Sequence, residues 1–66
     1  MGGALTNDEL KRKAQKWAEK KGIHEAQRVL INEGLSFSLA YQITMGTYVS
    51  DPKERVIAAL KKAMAA

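Results

Sequence analysis

The apolar residues at the start of the chain recur with the spacing of a helix. A separation of three or four residues places apolar side chains on one helical face, and lysine and arginine fill many of the intervening positions. The residues with this spacing are Leu10, Ala14, Trp17 and Ala18. Just before them, Thr6 precedes Glu9 by three positions, which is the pattern of a capping box. The pattern predicts a first helix over about 7–21, ended by Gly22.

A second, shorter segment also has helical spacing. Its inward-facing residues are Ala26, Val29 and Leu30, and they predict a helix that begins at 24 or 25 and ends at 32. Gly34 follows, and glycine is the residue best suited to a left-handed turn after a helix.

The last segment carries residues that start a helix. Asp51 has the side chain of an N-cap, Pro52 suits the first helical position, and Glu54 lies three residues past the cap. The apolar residues that follow with helical spacing are Val56, Ile57, Leu60, Ala63 and Met64. We therefore expect a final helix whose N-cap is Asp51.

The middle of the chain is free of charge. No Asp, Glu, Lys or Arg occurs from Gly34 to Ser50, although charged residues make up 27% of the chain. A solvated surface element normally carries charge, so this stretch either packs inside the protein or presents an uncharged face to a partner. We expect it to do both.

This uncharged stretch is compatible with two structures. Apolar residues alternate with polar or small ones, which is the period of a strand, but every second apolar residue is also spaced by four, as in a helix. The alternating apolar residues are Leu35, Phe37, Leu39, Tyr41, Ile43 and Met45. Ser36 suits an N-cap and Gly46 suits a helix end, so we favour a helix over 36–45. The alternative is an α+β protein in which 36–49 form a strand or hairpin that pairs in a dimer.

The length and charge of the chain limit its architecture and its partners. A chain of 66 residues is expected to form one domain, here over 5–66, with a flexible N-terminal tail over 1–4. The helical spacings predict that this domain is all-α, with four to five short helices. A domain of this size buries only about 60% of its unfolded surface, so we expect a homodimer to add stability. The net charge of +4 favours a polyanionic partner.

The residue types needed for catalysis and metal binding are scarce. The chain has no cysteine and a single histidine, His24, which we expect at the surface or near a helix cap. We therefore expect no enzymatic activity, no metal, no cofactor and no small-molecule substrate. The absence of a long apolar run predicts no signal peptide and no membrane span, and the absence of cysteine fits a reducing cytoplasm.

Two short helices joined by a glycine turn suggest a helix-turn-helix, here 25–32 followed by 36–45. Over about 25–60 the chain resembles the Cro and phage-repressor type of DNA-binding domain, the lambda-repressor-like family. The residues that carry the resemblance are Gly34, Leu35, Ser36, Ala40, Ile43, Gly46, Pro52 and the apolar run Val56–Leu60. The chain departs from the family at Leu30, where Ala is common, and in lacking Arg or Lys in the second helix of the pair.

The resemblance implies a transcriptional repressor that binds double-stranded DNA as a homodimer. The residues it turns outward on the recognition helix are Ser36, Phe37, Ser38, Tyr41, Gln42 and Met45. Gln42 then suits an adenine edge, while Phe37 and Tyr41 suit thymine methyl groups or, equally, burial in the core or in a dimer contact. The flanking residues it implies are Arg28, Thr47, Lys53 and Arg55, whereas we expect the lysines of the first helix to be a solvated face.

A protein-interaction module is the alternative function. The uncharged 34–50 segment would then bind another protein, such as an antirepressor, an antitoxin partner or a host factor, with Phe37, Tyr41 and Met45 as anchors. Binding to DNA that weakens with salt distinguishes the first function from the second.

Overall fold

Four helices account for most of the chain. The computed structural model describes residues 6–65, in which α1 spans Asn7–Lys21, α2 spans Ile23–Asn32, α3 spans Phe37–Met45 and α4 spans Glu54–Ala65. The described residues contain no strand, so the all-α prediction is confirmed and the strand alternative for 36–49 is wrong. The predicted tail over 1–4 lies outside the described residues, as do Leu5 and Ala66.

The start of α1 follows the predicted capping box. The Thr6 hydroxyl accepts a hydrogen bond from the Glu9 backbone N–H at 3.1 Å, and the Glu9 carboxylate accepts one from the Thr6 N–H at 3.0 Å. These two bonds satisfy donors that the first helical turn otherwise leaves free. The other end of α1 is also as predicted, since Gly22 has a φ of 109° and its N–H bonds the Ala18 carbonyl.

The start of α4 corrects the sequence prediction. Asp51 is not the N-cap, because α4 begins at Glu54 and the Lys53 carbonyl accepts the hydrogen bond from the Ile57 N–H at 2.9 Å. Pro52 therefore precedes the helix, and it is buried. Burial of the proline ring in the connection outweighs the local preference for a helix start, which is a weak determinant on its own.

The core lies where α1, α2 and α4 meet and where α3 packs on α1 and α2. The buried apolar residues that form it are Leu10, Ala14, Leu30, Leu35, Ala40, Ile43, Val56, Ala59, Leu60 and Ala63. From the uncharged stretch, Leu35, Ala40 and Ile43 are buried in this core and Leu39 is partly buried beside it. No Cα atom of α3 lies within 8 Å of a Cα atom of α4. The side of α3 that carries Phe37, Tyr41 and Met45 is exposed to solvent.

A membrane-spanning helix is absent from residues 6–65, where no helix combines the required length and apolar content.

Candidate nucleic-acid interface

The turn between α2 and α3 is built from backbone hydrogen bonds around a glycine. Gly34 has a φ of 104°, a conformation that residues with a Cβ rarely adopt. Its N–H bonds the Ile31 carbonyl at 2.9 Å, and the Leu35 N–H bonds the Leu30 carbonyl at 3.2 Å. Leu35 then points into the core, with 5% of its surface exposed. The turn therefore fixes where α3 begins relative to α2.

Both ends of α3 are capped as the sequence predicts. The Ser36 hydroxyl accepts the Leu39 N–H at 3.2 Å, which identifies Ser36 as the N-cap. Gly46 ends the helix in the left-handed conformation, with a φ of 79°. The next N–H, that of Thr47, bonds the Gln42 carbonyl at 2.9 Å. Thr47 is therefore held against the last turn of α3, and it is exposed.

A buried hydrogen bond between side chains joins α2 to α3. The Gln27 amide donates to the Thr44 hydroxyl at 3.1 Å, and that hydroxyl donates in turn to the Ala40 carbonyl at 2.8 Å. Only 7% of Gln27 and 1% of Thr44 are exposed. Neither residue stands out in the sequence pattern as a contact between the two helices. The bond fixes which sides of the two helices face each other, and it leaves the opposite side of α3 free.

Three large apolar side chains form a row on the free side of α3. Phe37, Tyr41 and Met45 are spaced by four residues, so they stack along one face of the helix. Their exposed fractions are 67%, 49% and 45%. The prediction that they point outward is confirmed, and the alternative that Phe37 and Tyr41 are buried in the core of this chain is wrong. We refer to Phe37, Tyr41 and Met45 as the apolar row.

A polar pair lies next to the apolar row. The Gln42 amide nitrogen donates a hydrogen bond to the Ser38 hydroxyl at 3.2 Å, one helical turn away. Ser38 is exposed and Gln42 is partly exposed. The bond restricts the rotation of a long amide side chain on a surface where nothing else in the described residues holds it. The sequence shows the i, i+4 spacing of Ser38 and Gln42, but the hydrogen bond between their side chains is seen only in the structure.

The predicted flanking cations are distributed unevenly. Arg28 is exposed on α2, the helix that braces α3. Lys53 and Arg55 are also exposed, but Arg55 lies on α4, whose Cα atoms all lie more than 8 Å from those of α3, and Lys53 lies in the connection before it. The structure therefore associates Arg28 with the α2–α3 pair and does not associate Arg55 with it.

A groove of about 340 Å³ separates the first half of α1 from the segment that follows α3. The residues that line it are Asp8, Lys11, Arg12, Gln15, Ile43, Gly46, Tyr48 and Val49. Two cations of α1 therefore adjoin the C-terminal end of α3. We expected the lysines of α1 to form a solvated face, because the packing of α1 against this segment cannot be inferred from the sequence.

Lys11 is more constrained than a solvated lysine. Its ammonium group donates to the Ser50 carbonyl at 3.1 Å, lies 3.9 Å from the Asp8 carboxylate and is 5.6 Å from the centre of the Tyr48 ring. Lys11 thus ties the 48–50 segment to α1, which corrects its expected solvated role. Arg12 is exposed and is the cation of this groove with freedom to contact a ligand.

Glu9 is a titratable group whose pKa is shifted by its surroundings. The pKa of Glu9 lies below its ordinary value of 4.5, first because the Thr6 backbone N–H bonds its carboxylate and then because the Thr6 hydroxyl does so. This shift belongs to the helix cap. Within residues 6–65 no three His, Asp or Glu side chains are grouped so as to hold a metal ion.

Comparison with models of protein families, with curated proteins and with solved structures finds no match to this chain.

Proposed function

We propose that this protein is a sequence-specific DNA-binding regulator of the helix-turn-helix type, with α3 as the helix that enters the major groove. The observation that carries the proposal is the braced α2–α3 pair, whose free side combines the Ser38–Gln42 pair with the apolar row. A helix with its side chains is about 10–12 Å wide, and the major groove is about 12 Å wide. The resemblance of the 25–60 sequence to lambda-repressor-like domains supports the same hypothesis, that α2 and α3 form a DNA-binding helix-turn-helix.

Attraction to phosphates comes from outside α3 in this proposal. The helix itself has no charged residue, whereas Arg28 is exposed on α2 and Arg12 adjoins the C-terminal end of α3. Phosphate contacts supply most of the non-specific affinity, and contacts to base edges supply the discrimination. The chain would therefore divide these two tasks between different helices. A cytoplasmic location follows from the proposal and agrees with the lack of cysteine.

Two copies would bind together. The nine residues of α3 extend about 13 Å, which spans roughly four base pairs at 3.4 Å each. Specific complexes bury about 1,000–2,500 Å² of protein surface, more than one short helix provides. A homodimer on a two-fold site doubles the contacts. Tyr48, Val49 and Met64 are candidates for the dimer contact. Val49 is the best placed of them, because it is 86% exposed whereas Tyr48 and Met64 are partly buried.

A titration of duplex DNA at several salt concentrations tests the proposal. Fluorescence anisotropy of a labelled duplex should show binding at low salt that weakens steeply as salt rises, with a log–log slope of about −0.9 per phosphate contacted. Arg28→Ala should reduce the magnitude of that slope by about one for each bound copy and weaken all sequences alike. Gln42→Ala should leave the slope unchanged and reduce the preference among sequences.

Lys62→Ala is the matched control for the loss of one positive charge. Lys62 is exposed in the last turn of α4, the helix whose Cα atoms all lie more than 8 Å from those of α3. It should leave the salt slope as it is. If Arg28→Ala and Lys62→Ala have equal effects, the α2–α3 face is not the binding surface, and if no duplex binds at low salt the protein does not bind DNA.

A protein-interaction module is the second candidate, and the apolar row is the observation that favours it. Three neighbouring large apolar side chains about half exposed or more resemble the anchor residues of protein interfaces. In this case Phe37→Ser should abolish binding to the protein partner, and salt should have little effect. Lack of binding to duplex DNA at low salt would favour this candidate over the first.

A further inference from the structure

We infer that the free side of α3 selects A·T base pairs over G·C base pairs, and that Ser38 is a positioning residue that holds Gln42 for contact with adenine. This inference rests on the proposed function, since it names the kind of DNA site that α3 would bind. Three features carry it: the side chains that α3 lacks, the hydrogen bond between Ser38 and Gln42, and the apolar row.

The residue types missing from α3 argue against selection of G·C pairs. Guanine is recognised mainly by Arg or Lys at its O6 and N7 atoms, and the amino group of cytosine is recognised by Asp or Glu. None of these four residue types occurs between Gly34 and Ser50. The helix offers amide, hydroxyl and apolar groups, and among these the amide of Gln pairs best with adenine while apolar groups pack on the thymine methyl group.

The hydrogen bond to Ser38 leaves Gln42 with the groups that adenine requires. A glutamine amide has two N–H donors and a carbonyl oxygen that accepts. One N–H is directed to the Ser38 hydroxyl at 3.2 Å. A bidentate contact with adenine uses the oxygen and the N–H on the same side of the amide, so in this proposal the N–H that bonds Ser38 is the one trans to the oxygen. Adenine presents an acceptor at N7 and a donor at N6 in the major groove, which match this remaining pair of groups. Ser38 thereby fixes the orientation of the amide without contacting the adenine itself.

The apolar row supplies contacts to thymine. Phe37 and Tyr41 are separated by four residues, a rise of about 6 Å along the helix, which is close to two base-pair steps. Both rings are exposed, Phe37 by 67% and Tyr41 by 49%, and they lie beside the polar pair. Adenine and thymine are paired with each other, so a site that satisfies Gln42 also brings thymine methyl groups into the same groove. The two kinds of contact thus favour the same base pairs.

Competition between duplexes of equal length tests the preference. A labelled A·T-rich duplex is displaced by unlabelled duplexes that are A·T-rich, G·C-rich, or A·T-rich with uracil in place of thymine. We expect the A·T-rich competitor to be more effective than the G·C-rich one by about 5- to 150-fold for each bound copy, the range for one bidentate base contact. Loss of each contacted methyl group in the uracil duplex should weaken competition about 4-fold.

Substitutions at Ser38 separate positioning from packing. Ser38→Ala should reduce discrimination against G·C pairs toward the level of Gln42→Ala, with the salt slope and the melting temperature unchanged. Ser38→Thr keeps the hydroxyl and should restore discrimination. Ser50→Ala, at an exposed serine outside α3, is the matched control and should have no effect.

The possible failures are distinguishable. Absence of binding to every duplex at low salt overturns the proposed function together with this inference. Salt-dependent binding without an A·T preference, or without an effect of uracil, overturns the inference and leaves the proposed function in place. An A·T preference that depends on Gln42 but survives Ser38→Ala overturns the positioning role of Ser38.

Discussion

The buried bond between Gln27 and Thr44 gives the sharpest test of how α2 orients α3. Thr44→Val keeps the shape of the side chain and removes the hydroxyl that accepts the Gln27 amide at 3.1 Å. The amide nitrogen is then left in a region where only 7% of Gln27 is exposed. Valine has a helix propensity close to that of threonine, so the effect of the change comes from the lost hydroxyl.

The expected cost is large for a domain of this size. A buried hydrogen-bonding group left without a partner costs about 1–3 kcal/mol, and a 66-residue domain has a total stability of about 3–10 kcal/mol. Gln27→Met should cost less than Thr44→Val, because the Thr44 hydroxyl still donates to the Ala40 carbonyl at 2.8 Å. The double variant removes both polar partners, so it should be more stable than Thr44→Val alone.

Urea unfolding followed by circular dichroism measures these free energies for the wild type, the two single variants and the double variant. A favourable coupling of about 1 kcal/mol or more between the two sites is expected. Thr47→Val, at an exposed threonine just after α3, is the control and should stay within about 0.5 kcal/mol of the wild type. Equal costs for the two single changes, or effects that add in the double variant, would refute the proposed role of the Gln27–Thr44 hydrogen bond in joining α2 to α3.

Three further changes test other parts of the fold. Gly46→Ala should cost about 1–2 kcal/mol in urea unfolding, because the φ of Gly46 is 79°. A Cβ at this position would meet the Gln15 side chain at 2.5 Å, but that side chain is free to move away. Adding Gln15→Ala should therefore not restore the lost stability. Leu30→Ala removes a side chain with no exposed surface and should cost about 2–5 kcal/mol in urea unfolding, a large part of the total stability of the domain. The hydrogen bonds from Thr6 lower the pKa of Glu9. The wild type should therefore be more stable than Glu9→Ala above pH 4.5, and this difference should disappear as the pH falls through the folded-state pKa of Glu9. Unfolding curves between pH 2 and pH 7 measure that advantage, and a constant difference would contradict the assignment.

The features that the sequence predicts well are those decided by neighbours in the chain. The Thr6–Glu9 capping box and the Ser36 cap each join residues three positions apart, and Gly46 acts within a single turn. The same holds for the outward direction of the apolar row, because the spacing of four residues and the caps together favour a helix over 36–45. Local chemistry is sufficient for these features, since no distant residue has to be placed first.

The features that the sequence misses depend on packing between distant segments. Gln27 and Thr44 are 17 positions apart, and Lys11 and the Ser50 carbonyl are 39 positions apart. Neither pair can be recognised until the rotation of each helix about its own axis is known, because a shift of one residue would turn these side chains away from each other. The late start of α4 has a related cause, since Pro52 is buried by tertiary contacts that a local cap pattern does not contain.

Within the proposed function, the hydrogen bond between Gln27 and Thr44 affects both the affinity for DNA and the discrimination among DNA sequences. Gln27 and Arg28 are consecutive on α2, so the residue that orients α3 from inside is followed directly by the cation that faces solvent. A weakened brace lets α3 rotate relative to Arg28. Base contacts require the alignment of two hydrogen bonds, whereas attraction between a guanidinium group and a phosphate changes slowly with distance and angle. Thr44→Val, assayed at a temperature where it is still folded, should therefore reduce the preference among DNA sequences more than it reduces non-specific binding. An equal loss of both would mean that α2 and α3 do not bind DNA as a single rigid unit.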